Sequence, residues 1–234
     1  MKAVALTDVG KMRENNEDFY IVCDESALYV ITDGMGGYQA GEVAAEIAAR
    51  HIVENFKEQT ASNLEEKFRI ILEKANDAII SYVKEHPECR GMGTTSVLAY
   101  FEGESLWVVN VGDSRCYGVK DNEIVQLSED HSLVAELVKI GSISIEEAEK
   151  HPDRNIITSA LGVDRQFDIC IKEYNINEFT HIVLCSDGLS NMVSSLELLE
   201  LIQNTDFNSV PQAMVDLANH NGGKDNITVI CIEL

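Results

Sequence analysis

Two hydrophobic periods alternate along the chain. Short apolar runs between polar breaks mark strands. They fall at 4–10, 19–23, 28–33, 96–101, around Trp107, and at 115–119, 124–127, 167–174, 182–185 and 227–232. In between, the period lengthens to that of a helix. Val43, Ala44, Ile47, Ala48, Ile52 and Phe56 make one stripe. Leu64, Phe68, Ile71, Leu72, Ala75, Ile79, Tyr82 and Val83 make a second, with Ser62 and Glu65 predicted as its capping box and Pro87 as its stop. Two more helices are predicted after position 188. Ser194 and Glu197 cap one, which carries Leu196, Leu199 and Ile202; Ser209 and Gln212 cap the other, with Pro211 in its first turn and Gly222-Gly223 at its end.

Residues 128–163 have no long apolar run. A short helix is predicted at 133–140, ended by Gly141, and another from Ser144, with Glu147 completing its capping box. His151-Pro152-Asp153-Arg154-Asn155 breaks it, and the segment reads as an inserted excursion, a flap.

Strands joined by hairpins imply antiparallel pairing, and eight or more exceed one comfortable open sheet. The predicted fold is α+β: a four-layer αββα sandwich, two antiparallel sheets flanked by helix pairs. No linker divides the chain, so residues 1–234 read as one domain with a flap at about 128–163.

Four of the apolar runs have an aspartate at one end. Asp33 closes the run from Leu28, with Gly34, Gly36 and Gly37 behind it. Asp187-Gly188 closes the run from His181, Gly112-Asp113 the run from Leu106, and Asp225-Asn226 leads into the run from Ile227. A single Asp-Gly is an ordinary turn dipeptide. Its recurrence at the ends of core strands points to a shared purpose. Carboxylates, with a carbonyl that glycine's permissive backbone leaves exposed, are the donors hard cations such as Mg²⁺ and Mn²⁺ take. Two carboxylates about 4 Å apart repel by roughly 4 kcal/mol at an effective dielectric near 20. Against a folding stability of about 5–15 kcal/mol, four converging carboxylates need cations to hold them.

Composition narrows the field. The formal charge of −22 argues against nucleic-acid binding. No apolar run approaches the roughly 20 residues that span a bilayer, and Asp8 interrupts any export signal, so a cytoplasmic location without membrane insertion is expected. The six cysteines are scattered with no C-x-x-C pair and read as buried, reduced thiols. None is followed by arginine six positions later, which leaves a cysteine nucleophile for phosphate esters unsupported. Arg13, one of only 18 basic residues, sits in the polar stretch 11–18 and on its own reads as part of a solvated turn.

Taken in order, the motifs resemble the metal-dependent, type 2C (PPM) serine/threonine protein phosphatases, especially their small bacterial members. The matching segments are Thr7 to Asp18, Thr32 to Glu42, Gly91 to Thr95, Val111 to Arg115, Asp130-His131-Ser132, His151 to Asn155 with Leu161-Gly162, Cys185 to Leu189, and Gly222 to Ile230. The resemblance implies two bridged Mn²⁺ or Mg²⁺ ions at one end of the sandwich. Asp33 would bridge both ions and the Gly34 carbonyl would bind one; Asp187 and Asp225 would bind the other. Asp18 and Glu17 would act through metal-bound water, and Asp113 with Asp187 matches a third metal site of bacterial relatives. Arg13 matches the residue that holds the substrate phosphate, in place of the turn reading. A metal-bridging hydroxide would attack phosphorus directly and displace the serine or threonine oxygen. The implied partners are phosphorylated proteins, a serine/threonine kinase and its substrates, met by a monomer.

Two positions depart from the family pattern. Met35 stands where eukaryotic members carry a histidine proposed to protonate the leaving group, and Ser159 stands where many bacterial members carry arginine. His131 and His151 read as structural. A non-catalytic relative, acting as sensor or binding module, is the alternative; it should have lost metal aspartates, and Asp33, Asp187 and Asp225 are all present. A hydrolase of small phosphoesters is a second, with no nucleotide loop in its favour.

Overall fold

A computed structural model describes residues 1–36, 40–148 and 150–234. The first sheet has the order β1 (Lys2–Asp8), β11 (Ile227–Glu233), β10 (His181–Cys185), β7 (Arg115–Lys120), β8 (Glu123–Gln126). The second runs β2 (Asp18–Cys23), β3 (Leu28–Met35), β5 (Ser96–Glu102), β6 (Ser105–Val111), β9 (Cys170–Asn175), and β4 (Gly93–Thr94) pairs with the end of β3. Every pairing is antiparallel.

Side chains alternate between the faces of a strand, so each sheet buries two sets. Tyr29 and Ile31 of β3 meet Ile182, Leu184, Ile230 and Ile232 of the first sheet in the layer between the sheets. Leu28 and Val30 turn the other way, against α1 (Gly41–Glu58) and α2 (Leu64–Glu85). Ala44, Ala45, Ala48 and Ala49 are all buried on α1, and their small size brings the helix close enough for Thr32 Oγ1 to donate to the Ala45 carbonyl at 3.0 Å. On the opposite outer face, Val183, Cys185, Val229 and Cys231 pack under α6 (Ser195–Asn204) and α7 (Val210–His220). Each fully buried aliphatic side chain contributes about 1.5–3 kcal/mol, and the three layers give the fold its framework. The architecture is the predicted αββα sandwich.

Several local expectations shift. The cap of α2 sits one residue later than predicted. Asn63, not Ser62, accepts from the Glu66 amide at 2.8 Å, while the Glu66 carboxylate reaches back to the amide and hydroxyl of Ser62. Ser194 and Glu197 do form a full capping box. Leu196, however, is 72% exposed, and Leu198 joins Leu199 and Ile202 in the core instead. Ser209 makes no capping bond. A tight turn at 207–209 precedes α7, held by Asp206 accepting from the Asn208 amide at 3.1 Å, so the chain enters α7 already helical. A one-turn helix, α5 (Asp187–Ser190), follows β10 where only a turn was predicted. β9 begins at Cys170, not at 167, because Asp168 is held elsewhere: its amide donates to Ser159 Oγ at 2.8 Å, and Ser159 Oγ donates to its carbonyl at 3.3 Å.

The 128–163 excursion contains α3 (Leu133–Lys139) and α4 (Ile145–Ala148), and the Ser144/Glu147 capping box forms as predicted. It is tethered at both ends. Asn110 holds Glu129 through its carbonyl at 2.7 Å and its amide at 3.2 Å. Arg115 grips Asp130 at 2.7 Å, and Leu161 bridges to Thr94.

Candidate metal centre

The strand alternation that builds the layer between the sheets also aims carboxylates past its end. Asp18 stands opposite Asp33 in the β2–β3 ladder, so both leave the sheet from one face. That face carries Tyr20, Val22, Tyr29 and Ile31 into the inter-sheet core. Asp187 is the first residue of α5, directly after β10, and Asp225 lies just before β11. Asp113 follows β6.

These carboxyls act on one another. Burial holds Asp33 well above the usual carboxylate range, and Asp18, Asp187, Asp113 and Asp225 push it further. Burial raises Asp18 to about 7, partly offset by the Thr228 side chain and by the Ser186 hydroxyl, which donates to it. Burial raises Asp113 to about 7 as well, with Asp187 and Asp130 adding to it. Asp187 is raised to about 6 by burial and then Asp225; a hydrogen bond with Asp33 and the charges of Arg115 and Arg13 pull the other way.

Arg13 lies in the β1–β2 loop, half exposed, and its Nη2 donates to Asp225 Oδ2 at 2.7 Å. The loop is fixed from below. The amides of Lys11 and Met12 both donate to the Gly223 carbonyl, at 2.8 and 3.2 Å. Glu17 diverges from the aspartates. Its Oε2 lies beside Gly41, where an added Cβ would come within 2.6 Å; burial raises its carboxyl, Arg13 draws it down, and Glu42 and Asp225 push it up.

The two Asp-Gly glycines serve close approach, not an unusual backbone. Neither Gly34 nor Gly188 has positive φ. A Cβ on Gly34 would stand 2.1 Å from the Gly41 carbonyl oxygen, and one on Gly188 would stand 1.9 Å from that of Asn226. Gly36 does adopt φ +139; Gly37 lies outside the described residues.

Sequence reasoning missed the residues that hold the site together. Asn226 Oδ1 accepts from the Glu17 amide at 2.8 Å, and its Nδ2 donates to the carbonyls of Val9 and Asn15, each at 2.9 Å. One side chain thus ties the start of β11 to the Arg13 loop. Ser186 is fully buried, and its hydroxyl donates to Asp18 Oδ2 at 2.7 Å. Both residues adjoin an aspartate that was singled out, and that adjacency was the available signal. His131 and His151 each accept a backbone amide at Nδ1, from Gly112 and Asp153 respectively, each at 3.1 Å. Met35 pairs with Gly93 in the β3–β4 ladder.

The donors suit a hard divalent cation. Those that converge are carboxylate oxygens, with no thiolate or imidazole, and Asp18 Oδ1 is buried with no hydrogen-bond partner. Among the described residues no three or more His, Cys, Asp or Glu side chains form a group that could hold a metal ion. Mg²⁺-like ions keep several waters and bind through one or two carboxylates, so a closed cage is not required. A cleft of about 800 Å³ opens at Asp113 and Asp187 and runs between the flap, at Val138 and Ile145, and the 190–197 segment.

A sandwich of this topology with carboxylates gathered at one end is the architecture of a phosphatase family, and the chain belongs to it: residues 11–228 match the protein phosphatase 2C family. Among individual proteins it is similar to the serine/threonine phosphatase stp of Listeria welshimeri, 37% identical over 241 residues that cover 100% of this chain and 96% of that protein. The solved structure of the Mycobacterium tuberculosis serine/threonine phosphatase PstP/Ppp superposes with a TM-score of 0.91 at 33% identity, covering 100% of this chain and 98% of the other. A structure of the PstP catalytic domain in complex with two manganese ions gives a TM-score of 0.85 at 32% identity, covering 99% and 97%.

Proposed function

We propose that the chain is a metal-dependent protein-serine/threonine phosphatase, a phosphoric monoester hydrolase that transfers the phosphoryl group straight to water. The carrying observation is the convergence of Asp18, Asp33, Asp113 and Asp187 at the end of the inter-sheet layer, with Arg13 at its edge on Asp225. Two Mn²⁺ or Mg²⁺ ions held there would supply Lewis acidity, lowering the pKa of water and offsetting charge on the phosphoryl oxygens.

The chain's own residues do the rest. Asp33 and the Gly34 carbonyl would hold the ions from the second sheet, and Asp187 and Asp225 would hold them from the first. Asp18 orients water through Oδ1, which has no protein partner. Glu17 has at most an indirect part. Asp113 with Asp187 offers a third position. Arg13 presents two-pronged donors to the phosphate. Met35 has no proton to give, so the departing serine or threonine oxygen takes its proton from water at the site or from another residue, or leaves less assisted. A thiolate nucleophile is disfavoured: burial pushes the Cys185 thiol up to about 12.

The substrates are phosphorylated proteins, with a serine/threonine kinase and its targets as partners. The chain acts as a monomer in the cytoplasm, as a single catalytic domain whose flap lies beside the active site. No described helix is long and apolar enough to cross a membrane. The retained carboxylates count against a non-catalytic sensor. The deciding experiment measures hydrolysis of p-nitrophenyl phosphate and of a phosphothreonine peptide with Mn²⁺, with EDTA, and with Asp33→Asn. Turnover is expected only for the wild type with metal; turnover that survives both EDTA and the substitution would overturn the reading.

A further inference from the structure

The layer between the sheets changes character at the site. Along the first sheet its inward positions are apolar: Ala3 and Ala5 on β1, Ile230 and Ile232 on β11, Ile182 and Leu184 on β10. Continuing each strand by its period of two brings Thr7, Thr228 and Ser186 onto the same face. Three neighbouring strands therefore end in a row of hydroxyls, and the second sheet sets Asp18 against that row.

The hydrogen bonds give the row a direction. Asn16 Nδ2 donates to Thr7 Oγ1 at 2.8 Å, and Thr7 Oγ1 lies 2.7 Å from Thr228 Oγ1. Either hydroxyl can donate in that pair; with Thr7 as the donor, the Thr228 hydrogen is left for Asp18. The Thr228 side chain also bears on the Asp18 carboxyl, drawing it down against burial. From the other side, the Ser186 hydroxyl accepts from the Thr228 amide at 3.0 Å and donates to Asp18 Oδ2 at 2.7 Å. Accepting that amide fixes the hydroxyl so that its hydrogen faces the carboxylate. Ser186 and Thr228 are both fully buried, so no water competes for these protons. The remaining oxygen, Asp18 Oδ1, is buried and without a hydrogen-bond partner. Leaving a buried carboxylate oxygen unpaired costs free energy, and a functional partner accounts for it.

We propose that Ser186 and Thr228 are positioning residues: their hydroxyls fix the rotamer of Asp18, so that Oδ1 is the oxygen offered to the water and cations of the active site. The proposal rests on the role given to Asp18 above. Chains of aligned hydroxyls polarise one another, so losing one donor weakens the set. Outer partners of this kind are worth about 10–100-fold in metal affinity or activity.

The test compares Ser186→Ala, Thr228→Val, Thr228→Ser and Asp18→Asn with the wild type. Mn²⁺ binding without substrate is read by titration calorimetry, and kcat and KM by phosphothreonine-peptide turnover. Melting in EDTA reports folding. Ser186→Ala and Thr228→Val should each lower kcat or weaken Mn²⁺ binding about 10–100-fold, with KM for the peptide within about twofold. Thr228→Ser, which keeps the hydroxyl, should restore both. If Asp18→Asn is impaired while Ser186→Ala and Thr228→Val match the wild type, the positioning role is overturned and the role of Asp18 stands. If Asp18→Asn itself binds Mn²⁺ and turns over like the wild type, the role of Asp18 falls and the proposal with it. A loss in Thr228→Ser equal to that in Thr228→Val would also overturn it, because shape and not the hydroxyl would then be responsible.

Discussion

Arg13 Nη2 and Asp225 Oδ2 are 2.7 Å apart, a contact between the proposed phosphate anchor and a proposed metal ligand. The side chains are 50% and 35% exposed, so solvent screens the pair and it contributes about 0–1 kcal/mol to folding. Its value lies in placement. The contact parks the guanidinium at the mouth of the site, and a cation on Asp225 together with a phosphate nearby would compete for the two ends of it.

Arg13→Ala should therefore separate binding from folding. A charge-assisted bond to phosphate is worth about 1.5–3 kcal/mol, so KM for a phosphothreonine peptide should rise roughly 10–100-fold. Melting in EDTA should move by no more than about 2–4 °C. Steady-state kinetics beside a thermal melt checks both, and an unchanged KM would return Arg13 to a turn residue.

Cation binding should appear as stability. The buried carboxylates raise one another's pKa, and Mn²⁺ at about 100 times its Kd should add about 2.7 kcal/mol. Asp33→Asn removes one member of the cluster. It should melt at or above the wild type in EDTA and lose most of the Mn²⁺-dependent rise. Paired melts of the two proteins decide this; an equal rise in both would show that the ions bind elsewhere.

The pH dependence of the metal-free protein should run opposite to that of ordinary salt-bridged carboxylates. Asp18 and Asp113 are raised from 3.8 to about 7 and Asp187 from 3.8 to about 6. The folded state thus holds these protons more tightly than the unfolded chain does. Their contribution is fully present below pH 3.8 and is lost as pH rises through about 6 to 7. In EDTA the protein should melt higher at pH 5 than at pH 8. In Mn²⁺ the trend should flatten or reverse, because the cation needs ionised ligands. The difference between the two curves isolates the site from other titrating groups.

Gly188→Ala should be costly although Gly188 has an ordinary φ. The new methyl would meet the Asn226 carbonyl oxygen at 1.9 Å, a backbone atom in β11's lead-in that has no rotamer to escape into. A loss of about 1–3 kcal/mol or more is expected, together with weaker Mn²⁺ binding through displacement of Asp187 and Asp225. Gly103→Ala is the control. It has φ +60 but no atom within 4 Å of the new methyl, so its cost is limited to backbone strain and should leave Mn²⁺ binding intact.

Much of this molecule was legible in the chain because its patterns are local. The apolar runs at 28–33 and 227–232 and the helical stripes of α1 and α2 suffice to give two sheets and their cover. The exceptions have physical causes. Leu196 sits in the first turn of α6 and points to solvent, which a stripe count does not resolve. The start of β9 was set by Ser159, a residue remote in sequence. At the site, the aspartates could be found because Asp-Gly at a strand end is a short motif. Asn226, Ser186 and Thr228 could not, since their bonds to Val9, Asn15 and Asp18 span 168 to 217 positions or depend on pairing between strands. Close approach at Gly34 and Gly188 likewise belongs to tertiary structure, and the sequence alone favoured a backbone explanation that the φ angles do not support.

The proposed ligands divide by sheet. Asp18, Asp33 and Gly34 travel with the second sheet, Asp187 and Asp225 with the first. Each sheet is tied internally by its ladder, whereas contact between them is made by side chains such as Ile31, Leu184 and Ile230. The gap between the halves of the centre is thus set by the thickness of an oily spacer. A methyl group added or removed there, well away from any charged atom, should retune the separation of the ions and produce a catalytic defect in a protein whose active-site residues are all intact.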